Sequence, residues 1–447
     1  MESARQIRRN IYKVGVPSFL ETLFTTFASI IDSKMVSALG TSAISAVAVT
    51  NQPRLFVFSV FFALNTVASS LSAKYYGKGD REAANRVLDH VLKLVVILSV
   101  IFSILTVIFA RPIMIAFAKQ PDTLDDSVIY FRIVMGDMIF NLLYMAINSA
   151  LRGIGKTNLT FFSNLASCVV NIFFNYLLIE GHLGCPAMGV AGAAIATVMG
   201  TVAAFAISLI FACRSGLFVN IPYCIKQKYH MTKDSLKEIT GLARSTFADS
   251  FAMRLSLLII GSIVAHLGSH QHSVYAVGMH LMNVNFALGT GFQTAGVALI
   301  GKNFGAGDKD AMRAYKNTIM VISLIASSVL GIAIIATGRL FFGLFSDSKS
   351  FIMLGTASAV FIGFNTIVQT TKFSYMGFLQ GVGAMKQVMV SSLWIAVFNP
   401  LLLVILVNLL GMGLYGVWIA SLASQSIQMA VLIYYYRKNK EFKRNGT

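Results

Sequence analysis

The chain has 447 residues, of which 56% are hydrophobic and only 12% charged; 36 Lys and Arg stand against 18 Asp and Glu, for a formal net charge of +18. A soluble domain carries about 25% charged residues, so this chain lacks the charge to cover a water-facing surface. The four cysteines, Cys168, Cys185, Cys213 and Cys224, have no CxxC spacing, which argues against a disulfide framework and against a zinc site.

The N-terminal MESARQIRRN has neither the apolar core nor the small-residue cleavage site of a signal peptide, so the first span is expected to direct insertion itself. Roughly 20 apolar residues cross a bilayer as helix. Reading between charged or Gly-rich breaks predicts twelve spans, near 12–36, 43–70, 90–110, 128–150, 158–180, 188–212, 238–264, 274–300, 316–338, 352–377, 387–409 and 414–436. The expected fold is therefore an all-α membrane protein with twelve transmembrane helices. Arg5, Arg8, Arg9, Lys74, Lys78, Arg81, Arg152, Lys156, Lys226, Lys228, Lys302, Lys309, Arg437, Lys438, Lys443 and Arg444 fall on one side of the alternating loops. Little beyond Lys34, Arg111, Lys119, Arg339 and Lys349 falls on the other. By the positive-inside rule both termini are expected to be cytoplasmic. The excess positive charge is thus read as a topology signal, with no nucleic-acid partner.

One sentence is written twice. LSAKYYGKGDREA (71–83) returns as LIGKNFGAGDKDA (299–311), 228 positions later. The same shift pairs Leu39-Gly40 with Leu267-Gly268, Arg111 with Arg339, Gly153 and Gly155 with Gly381 and Gly383, and Asn171 with Asn399. After a four-residue gap, MGVAGAAIA (188–196) meets MGLYGVWIA (412–420). Each unit holds six spans, an even number, so both copies enter from the same side, related by an axis along the membrane normal; parallel repeats of this kind are a transporter architecture. The expected organisation is two pseudo-symmetric six-helix lobes, 11–213 and 238–437, joined by a cytoplasmic linker, 214–237, and followed by a basic tail, 438–447.

VPSFLETLFTTFASIIDSKMVSALG, the AKYYGKGD loop and its GKNFGAGD copy, ALRGIGKT with its copy FLQGVGAMK, and GVAGAAIATV together resemble the multidrug and toxic compound extrusion (MATE) transporters over essentially the whole chain. The resemblance implies a secondary antiporter in a cell or inner membrane, expelling cationic or amphipathic small molecules in exchange for H+ or Na+. It implies no cofactor beyond that coupling ion, no enzymatic reaction, a lipid bilayer as surroundings, and a monomer. A lipid or lipid-linked-precursor flippase of the same superfamily stays open as an alternative, as does a channel or non-transporting receptor. The sequence alone does not name the substrate.

A charge inside a membrane costs a few kcal/mol and is a functional hypothesis by default. Glu21 and Asp32 lie eleven residues apart, about three turns, on one face of the first span, with Thr25, Ala28 and Ser29 between them. No Lys or Arg shares that stripe. In the fifth span, Asn171 and Asn175 lie one turn apart. The family's ion site in the first lobe matches Asp32, with Asn171, Asn175 and Thr197 around it; a Na+ at Asp32 is the one metal the resemblance allows. Some members have an acid where this chain has Asn175, which moves weight onto Asp32. Glu21 aligns with Asp249, which lies among Arg244, Arg254 and Lys372 and reads either as a second acidic site or as part of a charge-balancing pair. The fourth and tenth spans add Asp137, Asn141, Asn148, Asn365 and Gln369, which line a cavity or join helices. RGIGKT (152–157) lacks the first Gly of a phosphate loop and follows a membrane helix, so ATP hydrolysis is not expected.

Overall fold

The computed structural model describes residues 2–117 and 121–442; Lys119 and positions 443–447, with Lys443 and Arg444, lie outside the described residues. Every regular element among these residues is helical. The first copy comprises α1 (Ala4–Ser37), α2 (Thr41–Lys78), α3 (Arg81–Ile108), α4 (Ala110–Phe117), α5 (Pro121–Gly136), α6 (Met138–Gly153), α7 (Thr157–Leu178) and α8 (Gly189–Ala212). A short helix, α9 (Ile221–Gln227), occupies the connection. The second copy comprises α10 (Lys233–Ala265), α11 (Ser269–Gly305), α12 (Lys309–Gly343), α13 (Lys349–Gly381), α14 (Met385–Leu403, prolonged by a π-helical turn) and α15 (Gly413–Lys438).

Among the described residues ten helices are long and apolar enough to cross a membrane, and α5 with α6, bent by 49°, makes an eleventh. The expected span 274–300 falls in α11, which is 37 residues long and so has ample reach, but His272, His280, Asn283, Asn285 and several glycines make it less apolar than the others.

The repeat in the sequence is a repeat in the fold. α2, α3 and α7 begin at Thr41, Arg81 and Thr157; α11, α12 and α14 begin at Ser269, Lys309 and Met385, each 228 residues on. Beyond the gap, Gly189 of α8 pairs with Gly413 of α15. The duplicated GD motif is a helix joint in both copies. Gly79 (φ 72°) and Gly307 (φ 73°) take the left-handed turn that a Cβ would oppose. Asp80 then accepts the Ala83 N–H at 2.8 Å, and Asp308 accepts the Ala311 N–H at 2.8 Å, each satisfying an amide that the first helical turn leaves open. The outer surface repeats too: Ile97, Ile101 and Ile104 on α3 match Ile325, Val329 and Ile332 on α12, all exposed at helical spacing. In a bilayer such a stripe faces its own kind of solvent.

One element breaks the symmetry. α13 runs unbroken through Phe364 and Asn365, whereas the first copy has Gly136-Asp137 there and splits into α5 and α6. Gly is the weaker helix former by about 1 kcal/mol.

The chain forms two compact units: residues 20–243, and residues up to Phe19 together with those from Arg244 onward. Residues 11–19, which the expected boundary gives to the first lobe, thus group with the second. Ile7, Ile11 and Val14 are buried with Ala295, Ile319 and Phe378, and a Cβ on Gly291 would stand 2.9 Å from the Gly15 carbonyl oxygen. The core of the first unit is built from Phe61, Val91, Phe131, Met135, Met138 and Leu142; the second has Ile334, Phe342, Ile362 and Trp418.

The caps make a stability prediction. Asp80→Ala and Asp308→Ala should each lose about 1 kcal/mol, visible as a lower melting temperature in detergent, while Asp80→Asn, whose side chain also caps, should melt like the parent. Equal melting of the Ala and Asn variants would refute the capping role.

Candidate functional site

In the first unit one face of α7 receives the acids of α1. Thr160, Asn164, Asn171 and Asn175 follow each other at spacings of four and seven, so they share that face. Glu21 is buried and fully engaged: it accepts from Arg152 Nη1 at 2.9 Å, Thr160 Oγ1 at 2.8 Å and Asn164 Nδ2 at 2.8 Å. Arg152, from the ALRGIGKT motif, therefore has a buried partner.

Asp32 is half-buried and accepts a hydrogen bond from Asn175 Nδ2, which also lies 3.4 Å from Asn171 Oδ1. Three of the four residues expected at this site are thus in one chain of amides and carboxylate. Thr197 stands one step away: its hydroxyl donates to the Ala193 carbonyl at 3.0 Å and is bonded to Tyr130. The expectation that Asp32 has no basic neighbour is corrected here. Arg54, about a third of the way along α2, lies within electrostatic reach of both Asp32 and Tyr130. Its guanidinium donates to Asn51 Oδ1 at 2.9 Å and sits 6.0 Å over the Phe58 ring. Arg54 comes from the second span and not from the stripe of the first, and it is the only Lys or Arg within 43–70, which is a signal in itself.

The polar residues of the fourth span separate into two kinds. Asn148 is fully buried and joins α6 to α7 and α8, bonding Ser163 at 3.3 Å and accepting from Ser208 at 2.9 Å, so it fastens helices. Asp137 sits at the α5–α6 break, bonded to Thr201, with Oδ1 buried and unpartnered. Asn141 lies one turn further on, half-buried.

The second unit repeats the carboxylate with a different counter-charge. Asp249 is bonded to Ser392, the positional equivalent of Asn164. The cation acting on it is Lys372, and Arg244 is exposed. Lys372 is buried, donates to Gln425 Oε1 at 3.0 Å and lies 5.0 Å over the Phe373 ring. Lys372 and Gln369 face a cavity of about 350 Å3 among α10, α11, α13, α14 and α15. Arg254, Met253, Met279, Met282, Tyr275, Phe286, Asn399, Trp418 and Ser421 also line it. Asn365 is buried near Met282 Sδ at 3.6 Å and is not part of that lining.

Two helical repeats, each with a buried carboxylate and a polar interior, define a duplicated, multi-pass membrane protein. The chain belongs to the MatE family, whose model matches residues 17–177 and 246–405, one stretch per copy. It is 24% identical over 447 residues to the "Probable multidrug resistance protein NorM" of Thermotoga maritima, covering 99% of this chain and 95% of that one. The "Multidrug export protein MepA" of Staphylococcus aureus is 23% identical over 432 residues, covering 94% of this chain and 92% of the relative. A solved structure described as the outward-facing conformation of a multidrug resistance MATE family transporter shares the fold, with a TM-score of 0.88 at 18% identity over 97% of this chain and 95% of that chain.

Removing one partner of a buried ion pair strands the other charge, whereas removing both charges does not. Arg152→Ala should therefore lower the melting temperature more than Glu21→Gln/Arg152→Ala does, by a difference of about 2 kcal/mol after allowing for the partial exposure of Arg152. Equal melting of the two variants would show the pair to be electrostatically idle.

Proposed function

We propose that the protein is a secondary active antiporter of the multidrug-export type, expelling amphipathic small molecules as H+ or Na+ moves inward through the first lobe. The observation that carries this reading is Asp32: an acid within a membrane helix, half-buried and held by the Asn175–Asn171 pair. A carboxylate so placed has two useful states. Ionised, it draws a cation and keeps the Asn175 amide; protonated, it becomes neutral and needs an acceptor instead. A change in ligation at Asp32 then biases which side the lobes open to, which is alternating access driven by an ion gradient. Arg54 does not separate the two ions: a fixed guanidinium within electrostatic reach opposes an added proton and an added Na+ alike, and favours release of either.

In this reading the lobes are 11–213 and 238–437, both termini are cytoplasmic, the protein works as a monomer in a cell or inner membrane, and Asn171, Asn175 and Thr197 change contacts as Asp32 changes state. The family relationship supports the export role; the basic loops support the orientation.

Asp32→Asn fixes the neutral form. In proteoliposomes it should fold and insert yet lose gradient-driven export, while Asp249→Asn keeps more of it. Export by the parent should collapse when the gradient of the coupling ion is dissipated, the pH gradient if it is H+ or the Na+ gradient if it is Na+; export that persists without both would refute antiport. Wild-type export by Asp32→Asn under an imposed gradient would move coupling to Glu21 or Asp249.

A further inference from the structure

The two copies finish one corner differently, where α2 ends, α3 and α7 begin and the chain leaves α8. In the second copy the equivalent corner is filled: Val382, Ala384 and Phe442 share one apolar cluster with Leu379, Val388 and Leu432. Their counterparts in the first copy are Ile154 and Lys156, at the shift of 228, and Phe218, at the shift of 224. There the corner stays open as a pocket of about 330 Å3, lined by all three. Lys156 stands exposed where the second copy has a buried alanine, so the fold itself requires no cation at that position.

The walls of the pocket are fixed by the protein's own bonds. Asn85, fully buried on α3, donates to the Phe218 carbonyl at 2.8 Å and accepts the Asn220 N–H at 2.7 Å, which pins the connection after α8 against α3. Phe218 meets Tyr76 edge-on, ring centroids 4.9 Å apart. Arg81 is placed by the Leu217 carbonyl at 3.3 Å and by the Tyr223 ring at 4.9 Å. Arg81 and Lys156 both line the pocket, and among the described lining residues there is no Asp or Glu. Asp80, next to Arg81 in the chain, is already engaged as the cap of α3. Two cations in one preformed pocket suit a phosphate group.

The surroundings narrow the choice of phosphate. The pocket lies at the end of the lobe that carries the basic loops, at the rim of four helices long and apolar enough to cross a membrane, and basic pockets so placed hold lipid headgroups. Beside it, α9 supplies Tyr223 and leaves Ile225 69% exposed next to Lys226 and near Lys228. An apolar side chain bared among lysines suits the bilayer interface. We propose that this pocket binds the phosphate of an anionic phospholipid, in the leaflet that meets the basic loops. Arg81 and Lys156 take the phosphate, and the glycerol and first methylenes lie along Ile154 and Leu217. A volume at the small end of ligand pockets, ~300–1,000 Å3, admits a headgroup and leaves the acyl chains in the bilayer.

Native mass spectrometry of the purified full-length protein in neutral detergent counts bound lipids one at a time. Dioleoylphosphatidylglycerol should bind its first equivalent with a Kd at least fivefold below that of dioleoylphosphatidylcholine. Lys156→Ala, which writes the second copy's residue into the first, should reduce that preference at least threefold, as should Arg81→Gln, while Lys156→Arg keeps it. Lys309→Ala, at the counterpart of Arg81 in the second copy, should leave the preference within twofold. If Arg81→Gln fails to fold for want of its contact with Leu217, the exposed Lys156 decides the matter. Equal affinity for the two lipids, an unchanged preference in Lys156→Ala, or an equal loss in Lys309→Ala overturns the proposal. Inorganic phosphate bound as tightly as the lipid would make the ligand a soluble anion and overturn it too. No ion gradient is applied, so the result stands apart from coupling at Asp32.

Discussion

Hydrocarbon supplies no hydrogen-bond partners, and the interior of this protein follows from that constraint. It makes helix the only regular structure of the membrane segments, and it requires each polar side chain between them to find a partner or to face water. The two acids at the equivalent positions show the rule at work. Glu21 collects an arginine, a hydroxyl and an amide; Asp249 collects Ser392 and the charge of Lys372. Asp32 is less fully satisfied, with one amide bonded to it and Arg54 acting from α2. That difference separates an acid whose bonding capacity is filled from one with capacity to spare.

Duplication kept what bends and seals the chain and changed the polar interior. The Gly-Asp joints, their left-handed glycines and the outward isoleucine and valine stripes recur at a fixed shift. Geometry of this kind has few chemical solutions, so two copies that keep the fold keep the residues. Interior chemistry is freer. Position 144 in one copy is a tyrosine near Glu21, and its counterpart 372 is the lysine that acts on Asp249. The cation that answers the acid has moved from the helix end at Arg152 to mid-helix, and the space left beside it has opened.

The helical fold and the repeat were legible because hydropathy runs and a shifted motif are local or linear signals. The pairing of Asp32 with Asn175 was legible for a similar reason: an unpaired acid in one span and two asparagines a turn apart in another leave few ways to satisfy each other. Arg54 was not, because a lone basic residue inside a span has no motif, and its meaning depends on which helix stands opposite. Thr160 and Asn164 were missed although they continue the polar face of Asn171 and Asn175, since Thr and Asn also join helices without comment. The grouping of residues 11–19 with the second unit arises from packing between distant segments, which no window of sequence contains.

The split between α5 and α6 gives the two copies different mechanics. At the break the Asp137 amide reaches Ile133 O at 3.3 Å, and Asp137 O is shared by the Phe140 amide at 3.1 Å and the Asn141 amide at 3.4 Å. The equivalent stretch of α13 is an uninterrupted rod. A rod transmits a push along its whole length, while a jointed strut can absorb one at its middle, where Asp137 lies bonded to Thr201 of α8. The first copy is thus the compliant partner and the second the stiff one, although both descend from one plan.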